Sequence, residues 1–202
     1  FSIELSESGK LVSEYFQAES SSGENAYSAT NQFSYELDDP HFEEVQTFTH
    51  AHTMLSWFES LGYEWVGPKP LKILVHARAQ GTPNNALYQP AVSSAGYPQI
   101  MVGDGDGSIL QNLGKDNDVV SHEFSHHILF RTLTNTTGES LVLHEGLADL
   151  FTFMQTGNAC LGESICPSGS SACWLPDRCL RSAENDLSYL DTTYRSWISA
   201  PH

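Results

Sequence analysis

Residues 122–126 read His-Glu-Phe-Ser-His and combine two imidazoles with a carboxylate at a spacing suited to metal chemistry. On a helix, His122 and His126 are four residues apart and project from one face, so both can bind the same tetrahedral Zn²⁺. Glu123 lies beside the first ligand but off the ligand line, so it can act as a base on a water molecule at the metal. The segment therefore predicts a hydrolytic zinc centre.

Two further acids follow after an interval of eighteen residues, within the segment Leu-His-Glu-Gly-Leu-Ala-Asp. Glu145 and Asp149 are again four residues apart and share a helix face. Glu145 is the predicted third ligand, and Asp149 is placed to accept the remaining N–H of a zinc-bound histidine, which fixes the tautomer. The alternative is an amphipathic helix whose two acids face water. The suitable distance from the first motif favours the zinc interpretation.

Two helices are predicted to position these residues. The segment 141–155 carries its apolar residues at helical spacing, which predicts a helix with its leucine face in the core. The residues of that face are Leu143, Leu147, Leu150, Phe151 and Met154. Apolar residues also recur at approximately helical spacing through 41–61, which predicts a second helix there, and Gly62 indicates where that helix ends.

Extended segments make up the rest of the expected scaffold. A hairpin is predicted over 1–19, a strand over 71–77, and shorter extended pieces at 84–90 and 98–103. Helices and strands in this mixture predict an α+β protein.

Two other motifs resemble metal sites. The Gly-Asp-Gly-Asp-Gly run at 103–107 resembles a calcium loop, but Lys115 stands twelfth from Asp104, where such a loop needs Glu, so a tight turn is favoured. His50 and His52 are two residues apart and point in different directions on a helix, which favours solvent or core histidines.

All four cysteines fall in one Gly-, Ser- and Pro-rich stretch, at Cys160, Cys166, Cys173 and Cys179. Their spacings are wider than those of zinc ribbons, and no histidine lies among them, so two disulfides are favoured over a second zinc site. The sequence alone does not indicate which of the four cysteines pair with each other. Disulfides imply an oxidising compartment, so the protein is expected to be extracytoplasmic: secreted, at the cell surface or periplasmic.

Composition and net charge limit the classes of partner that this chain is expected to bind. The chain has 202 residues, with 25 Asp and Glu against 9 Lys and Arg, for a formal charge of −16. This charge argues against binding to nucleic acid or to an anionic membrane. No apolar run is long enough for membrane insertion. The start at Phe1, without Met or a signal peptide, suggests a processed or trimmed product.

Four motifs in order resemble the thermolysin-type gluzincins and their fungalysin relatives, across about 45–156. They are Asn84-Asn85-Ala86, the 103–107 run, Asp118 to His126, and Glu145 to Asp149. The resemblance implies a zincin-like fold, in which a twisted mixed β-sheet lobe with an active-site helix precedes a short helical lobe. The expected boundaries are 1–140 for the first lobe and 141–202 for the second, which holds the cysteine-rich loop 160–179.

The resemblance also implies roles. Its zinc ligands match His122, His126 and Glu145, its general base matches Glu123, and Asp149 would hold His122. Asn85 and Ala86 would lie on an edge strand that binds the backbone of a peptide or protein substrate. One Zn²⁺ is expected. The family's double calcium site uses a carboxylate past the third zinc ligand, and the matching position here is near Thr156, which has no carboxylate. The binding of Ca²⁺ therefore stays open.

The sequence departs from the family in the groups that stabilise the oxyanion. The family's tyrosine has no counterpart in 132–137, and its donor histidine has one candidate, His202. The chain after Glu145 is also short for the family's helical lobe. A further fragment of the same precursor could complete the cleft, or His202 could be a simple terminus.

These patterns favour a zinc-dependent endopeptidase and leave two alternatives. A gluzincin aminopeptidase has the same ligand spacing, but its Gly-Ala-Met-Glu-Asn strip is absent. A zinc-binding but inactive adhesion module is the other alternative, although such a module has no need of Glu123. Metzincins are excluded, because Leu129 and Thr132 occupy the positions of their glycine and third histidine.

Overall fold

A computed structural model describes residues 2–7, 9–90, 97–133, 138–173 and 178–184. Its principal elements, in chain order, are β1 Phe16–Ser20, α1 Pro40–Ser60, β2 Leu71–Val75, β3 Ala86–Gln89, β4 Gln99–Val102, α2 Asn117–Thr132, α3 Glu139–Thr156, β5 Cys160–Leu161 and β6 Arg181–Ser182. The mixture of helices and sheet confirms the predicted α+β class. Among the described helices, none is long and apolar enough to cross a membrane.

The main sheet is mixed and has the order β1-β2-β4-β3. Strands β1, β2 and β4 run parallel, and β3 is the antiparallel edge strand beside β4. Alternate residues of β2 are buried on the core side: Leu71, Ile73 and Val75. The predicted strands at 71–77, 84–90 and 98–103 are confirmed in type and approximate position.

The predicted hairpin over 1–19 is wrong. Among the described residues of this segment, only β1 forms a full strand, and it pairs in parallel with β2. The preceding residues contribute one isolated bridge, between Val12 and Gln17. Phe16 and Ala18 are buried in the core, so burial of this strand between β2 and α1 outweighs the local turn signal.

Helix α1 confirms the segment predicted at 41–61. Its N-cap is Asp39, whose side chain accepts a hydrogen bond from the backbone N–H of His41, with Pro40 in the first turn. Gly62 follows its end with φ of +92°, a conformation that favours glycine. His52 lies in the core, where its ring contacts Phe16 and Phe48 edge-on.

Helix α2 carries the first motif and is buried along most of its length. Every residue from Asp118 to Leu129 is buried. Asp116 caps its N-terminus by accepting from the N–H groups of Asp118 and Val119. The helix packs against α1, α3 and β3, so its histidines are held from several sides.

Helix α3 confirms the predicted helix but presents a different face to the core. The buried residues are His144, Ala148 and Thr152. The predicted core face is wrong for Leu143, Leu150 and Met154, which are 58%, 46% and 57% exposed, whereas Phe151 of that face packs against Phe58 of the core. The fully buried positions of α3 thus carry small or polar side chains, and α3 packs against α2. The division into lobes at residue 140 stays a prediction.

The cysteines form two nested disulfides, Cys160–Cys179 and Cys166–Cys173. This confirms the preference for disulfides over a second zinc site in this stretch. The outer bridge lies beside the short antiparallel pairing of β5 with β6, in which Leu161 faces Arg181.

Candidate metal centre

Three side chains from α2 and α3 converge on one point. The Nε2 atoms of His122 and His126 are 3.1 Å apart, and the Glu145 carboxylate lies 3.2 Å from the first and 3.4 Å from the second. Ligands on a tetrahedral Zn²⁺ with bonds of about 2.0 Å are about 3.3 Å from one another. The three donors therefore fit a tetrahedral ion and leave one position for another ligand.

The local structure explains this convergence. His122 and His126 are one turn apart on α2 and stand on the same face. Helix α3 packs against α2, and the small side chain of Ala148, one turn after Glu145, is fully buried. This packing brings Glu145 over the two imidazoles.

One imidazole has a carboxylate behind it and the other has none in the described chain. Asp149 Oδ1 lies 2.8 Å from His122 Nδ1. Such a contact fixes the tautomer and leaves Nε2 to bind a metal. By contrast, His126 Nδ1 is buried without a hydrogen-bond partner among the described residues.

Arg181 adds a second layer behind His122. Its Nε and Nη2 atoms donate to the two carboxylate oxygens of Asp149, at 2.6 Å and 2.8 Å, in a bidentate pair. Arg181 belongs to β6, so the cysteine-rich region supplies a residue of the site. The sequence pattern does not indicate this residue, because it lies more than thirty positions from Asp149. Its closeness to Cys179 was the available signal, since a disulfide fixes its neighbours in space.

The electrostatics of the centre favour a cation. Burial would lower the pKa of His122, but hydrogen bonds to Asp149 and Glu145 outweigh it and raise that pKa to about 10. Burial would also raise the pKa of Asp149, yet the charge of Arg181 and the His122 contact hold it at about 2. The pKa of Glu145 is lowered well below its usual range by the two histidines, which outweigh its burial. Carboxylates that hold a proton on His122 also favour a metal cation there.

A cavity of about 360 Å³ opens over the three donors. Glu123 lines it together with His122 and His126, although Glu123 does not belong to the converging donor set. Its lining also includes Ala86, the first residue of β3, and Asn85, which precedes it. In the described sheet, β3 pairs with β4 on one side and is the edge strand, so Ala86 lies on such a strand, while the substrate-binding role that the resemblance implies stays a prediction.

The structure thus brings together all but one of the residues predicted for the site. The exception is His202, which lies outside the described residues, as do 134–137 of the segment that corresponds to the family's tyrosine. The roles of the residues stay predictions, and so does any contribution of His202.

Comparison with known proteins agrees with this geometry. The model of the thermolysin metallopeptidase catalytic domain matches residues 5–129, more than half of the chain, including His122, Glu123 and His126. No curated protein matches the sequence. Among solved structures, the precursor of protealysin, a metalloproteinase from Serratia proteamaculans, aligns with a TM-score of 0.59 at 17% identity.

That alignment covers 83% of this chain and 53% of the protealysin precursor, so this chain spans about half the length of its structural relative. At this identity, the likeness establishes the fold alone. The family match, by contrast, rests on the sequence itself. The chain belongs to the thermolysin metallopeptidase family, as a divergent member.

Proposed function

We propose that this chain is a zinc-dependent endopeptidase, or the zinc-binding part of one. The observation that carries the proposal is the convergence of three donor groups, with contacts of 3.1–3.4 Å, in the lining of a cavity that also includes a carboxylate outside the donor set. In the proposal, His122, His126 and Glu145 hold one Zn²⁺. When bound, Zn²⁺ supplies Lewis-acid chemistry, which polarises a carbonyl and makes water more acidic.

Glu123 is the proposed general base. It precedes Phe124 on α2 and lines the cavity next to the donor atoms. In this position its carboxylate takes a proton from the water that attacks the peptide carbonyl. The protonated Glu123 then gives that proton to the departing amine. Asp149 keeps His122 in one tautomer and orientation during both steps.

The edge of β3 is the proposed substrate-binding strand. An extended peptide can pair with an unpaired strand edge through main-chain hydrogen bonds, and Asn85 and Ala86 stand at the start of that edge. Arg181 lines the same cavity. A guanidinium has five N–H donors, of which Asp149 accepts two, so Arg181 can also donate to a substrate carbonyl.

We also propose that a further polypeptide of the same precursor completes the cleft. This rests on the half-length alignment with the protealysin precursor and on the exposed leucine stripe of α3, next to the ligand Glu145. A donor for the oxyanion would come from that polypeptide or from His202. The two disulfides support an extracytoplasmic location.

The test is the variant Glu123→Ala, assayed with a quenched fluorescent peptide that is acetylated at its N-terminus. We expect cleavage to fall on the order of 10²- to 10⁴-fold, the usual contribution of a general base. Zinc content, measured by elemental analysis, should stay the same because Glu123 is not a ligand. Glu59→Ala, at the exposed end of α1, is the matched control and should cleave like the parent.

The other outcomes identify the alternatives. Equal activity in the Glu123→Ala variant contradicts the mechanism. Release of single residues from free N-termini, with no cleavage of the acetylated peptide, indicates an aminopeptidase. Retained zinc without cleavage of either peptide, even with a companion polypeptide present, indicates the binding module.

A further inference from the structure

A second cluster of potential ligands lies away from the metal centre. Glu43 is in the first turn of α1, His76 follows the end of β2, and Asp104 follows the end of β4. One ligand atom from each residue lies within 4.8 Å of the others. Three separate segments of the fold therefore meet at this point.

The ring of His76 is oriented so that one nitrogen faces the two acids. Its Nε2 lies 3.1 Å from the backbone carbonyl of Pro40, which can only accept a hydrogen bond, so Nε2 carries a proton. In the neutral ring, Nδ1 then carries the lone pair. This atom is 2.7 Å from Asp104 Oδ1 and 3.3 Å from Glu43 Oε2. Three acceptors would then face one another, an arrangement that is favourable only with a proton or a metal cation between them.

The burial of Glu43 is a second observation at this point. Its side chain is 1% exposed. Asn112 Nδ2 donates to Oε2 at 2.6 Å, but Oε1 is buried without a hydrogen-bond partner among the described residues. A buried carboxylate oxygen without a partner costs free energy. A cation bound by both oxygens would remove that cost.

We propose that Glu43, His76 and Asp104 form a second divalent-cation site, with His76 Nδ1 and two carboxylates as ligands. One imidazole with carboxylates suits a transition-type ion such as Zn²⁺ or Mn²⁺, whereas Ca²⁺ prefers oxygen ligands alone. The Pro40 carbonyl fixes the ring from behind, as the outer partner of a metal-bound histidine does. A cavity of about 420 Å³, lined partly by His76 and Asp104, gives water access to the remaining positions.

Such an ion would stabilise the approach to the proposed substrate strand. It would tie α1 to the turn at 103–107. The turn at 103–107 also contacts the segment before β3. Asn84 Nδ2 donates to Asp106 Oδ2 at 2.7 Å, and the Gly103 N–H donates to the carbonyl of Asn85. The role is structural, and it does not depend on the chemistry at His122.

The experiment removes the first centre before measuring the second. In a His122→Ala/His126→Ala background, zinc content after desalting and a calorimetric Zn²⁺ titration should show one ion per chain. Asp104→Asn in this background should weaken Zn²⁺ binding by about tenfold or more, and His76→Gln should do the same. Asp104 is half-exposed, so its variant is not expected to disturb folding.

Two adjacent glutamates provide a matched pair of variants. Glu43→Gln removes a proposed ligand and should lose the ion. Glu44→Gln changes a residue that lines the same cavity but is not one of the proposed ligands, so it should keep the ion. Zn²⁺ should also raise the Tm of the background protein and of the Glu44→Gln variant, but not that of the Asp104→Asn variant.

The absence of stoichiometric Zn²⁺ or Mn²⁺ in the background, with an unchanged near-UV circular dichroism spectrum, overturns the proposal. Equal Zn²⁺ affinity in the Asp104→Asn variant does so too. Either result would leave a proton as the positive charge, on a His76 imidazolium held by two carboxylates. Neither result bears on the zinc-peptidase proposal, since the first centre is removed in every sample.

Discussion

At the scale of residues, the metal centre is asymmetric. His122 is supported by Asp149, which is in turn held by Arg181, whereas His126 Nδ1 has no partner in the described chain. The orientation of the first ligand is thus set by a chain of charged contacts. That of the second depends on packing within α2 and against Phe130. Removal of Asp149 should therefore affect metal binding more than its distance from the metal suggests.

The first prediction concerns Asp149→Asn. Loss of the carboxylate removes the acceptor that fixes the His122 tautomer, so zinc affinity should fall by about 10- to 100-fold. Competition with a chromophoric chelator measures this affinity. Unchanged zinc affinity would show that α2 alone orients the imidazole.

The second prediction separates Arg181 from Asp149. Arg181→Gln should weaken zinc binding less than Asp149→Asn does, because Asp149 still contacts His122. In the double variant, the affinity should be close to that of Asp149→Asn alone, since Arg181 acts on the ligand through Asp149. Additive losses in the double variant would mean that Arg181 affects the metal by another route. The same titrations with all three variants decide between these outcomes.

The third prediction concerns His52. Burial lowers the pKa of this imidazole to about 4, while the unfolded chain titrates near 6.5. The unfolded state thus binds more protons between these values, and stability falls as pH decreases through this window. Between pH 7 and pH 4.5, this single group should cost about 2 kcal/mol.

His52→Gln tests this cost, because glutamine can still hydrogen-bond to Ser13 Oγ, which lies 2.9 Å from His52 Nε2. Urea unfolding at pH 7 and pH 4.5 should show a smaller loss of stability in the variant than in the parent. Equal losses in both proteins would assign the acid sensitivity to other groups.

At the scale of elements, α3 has two different faces. His144, Ala148 and Thr152 contact the interior, while Leu143, Leu150 and Met154 are exposed. An apolar stripe usually indicates the buried face of a helix. Here the interior face instead carries the small Ala148, and Glu145, one turn before it, contacts the two histidines of α2.

The fourth prediction follows from this orientation. Leu150→Gln should change the free energy of unfolding by less than about 0.5 kcal/mol, since the side chain contacts mainly solvent. Ala148→Leu should cost about 1–3 kcal/mol, because the larger side chain would force α2 and α3 apart. Urea unfolding of both variants measures these values. If Leu150→Gln lowered the free energy of unfolding more than Ala148→Leu does, the leucine face would be the buried one.

The parts of the site that depend on short spacings along the chain can be predicted from the sequence. The four-residue intervals in α2 and α3 identify the donors and Asp149, because helix geometry converts those intervals directly into shared faces. Arg181 cannot be predicted in this way, since the pairing of β5 with β6 and a disulfide position that residue. The same applies to β1, where parallel pairing with β2 depends on a partner more than fifty residues away.

At the scale of the whole molecule, the cysteine-rich region is part of the fold rather than an appended loop. Ile165 is buried in the main core, and its carbonyl accepts from the Gln111 N–H at 2.8 Å. The Gly162 N–H donates to Asp118 at the start of α2. Through Arg181, the same region reaches the metal centre. The inner disulfide begins at Cys166, next to the buried Ile165, whereas the outer one ends at Cys179, two residues before Arg181.

The last prediction compares these disulfides. Cys160–Cys179 closes a separation of 19 residues and Cys166–Cys173 one of 7, so loop entropy predicts losses of about 3 and about 2 kcal/mol when each is replaced by a pair of serines. The outer bridge also fixes β6. Its removal should therefore free Arg181 from Asp149 and weaken zinc binding, as Arg181→Gln does. Removal of the inner bridge should lower stability alone, with zinc affinity unchanged. Equal zinc affinity in both double-serine variants, measured by chelator competition on folded protein, would show that β5 and β6 hold Arg181 without the outer disulfide.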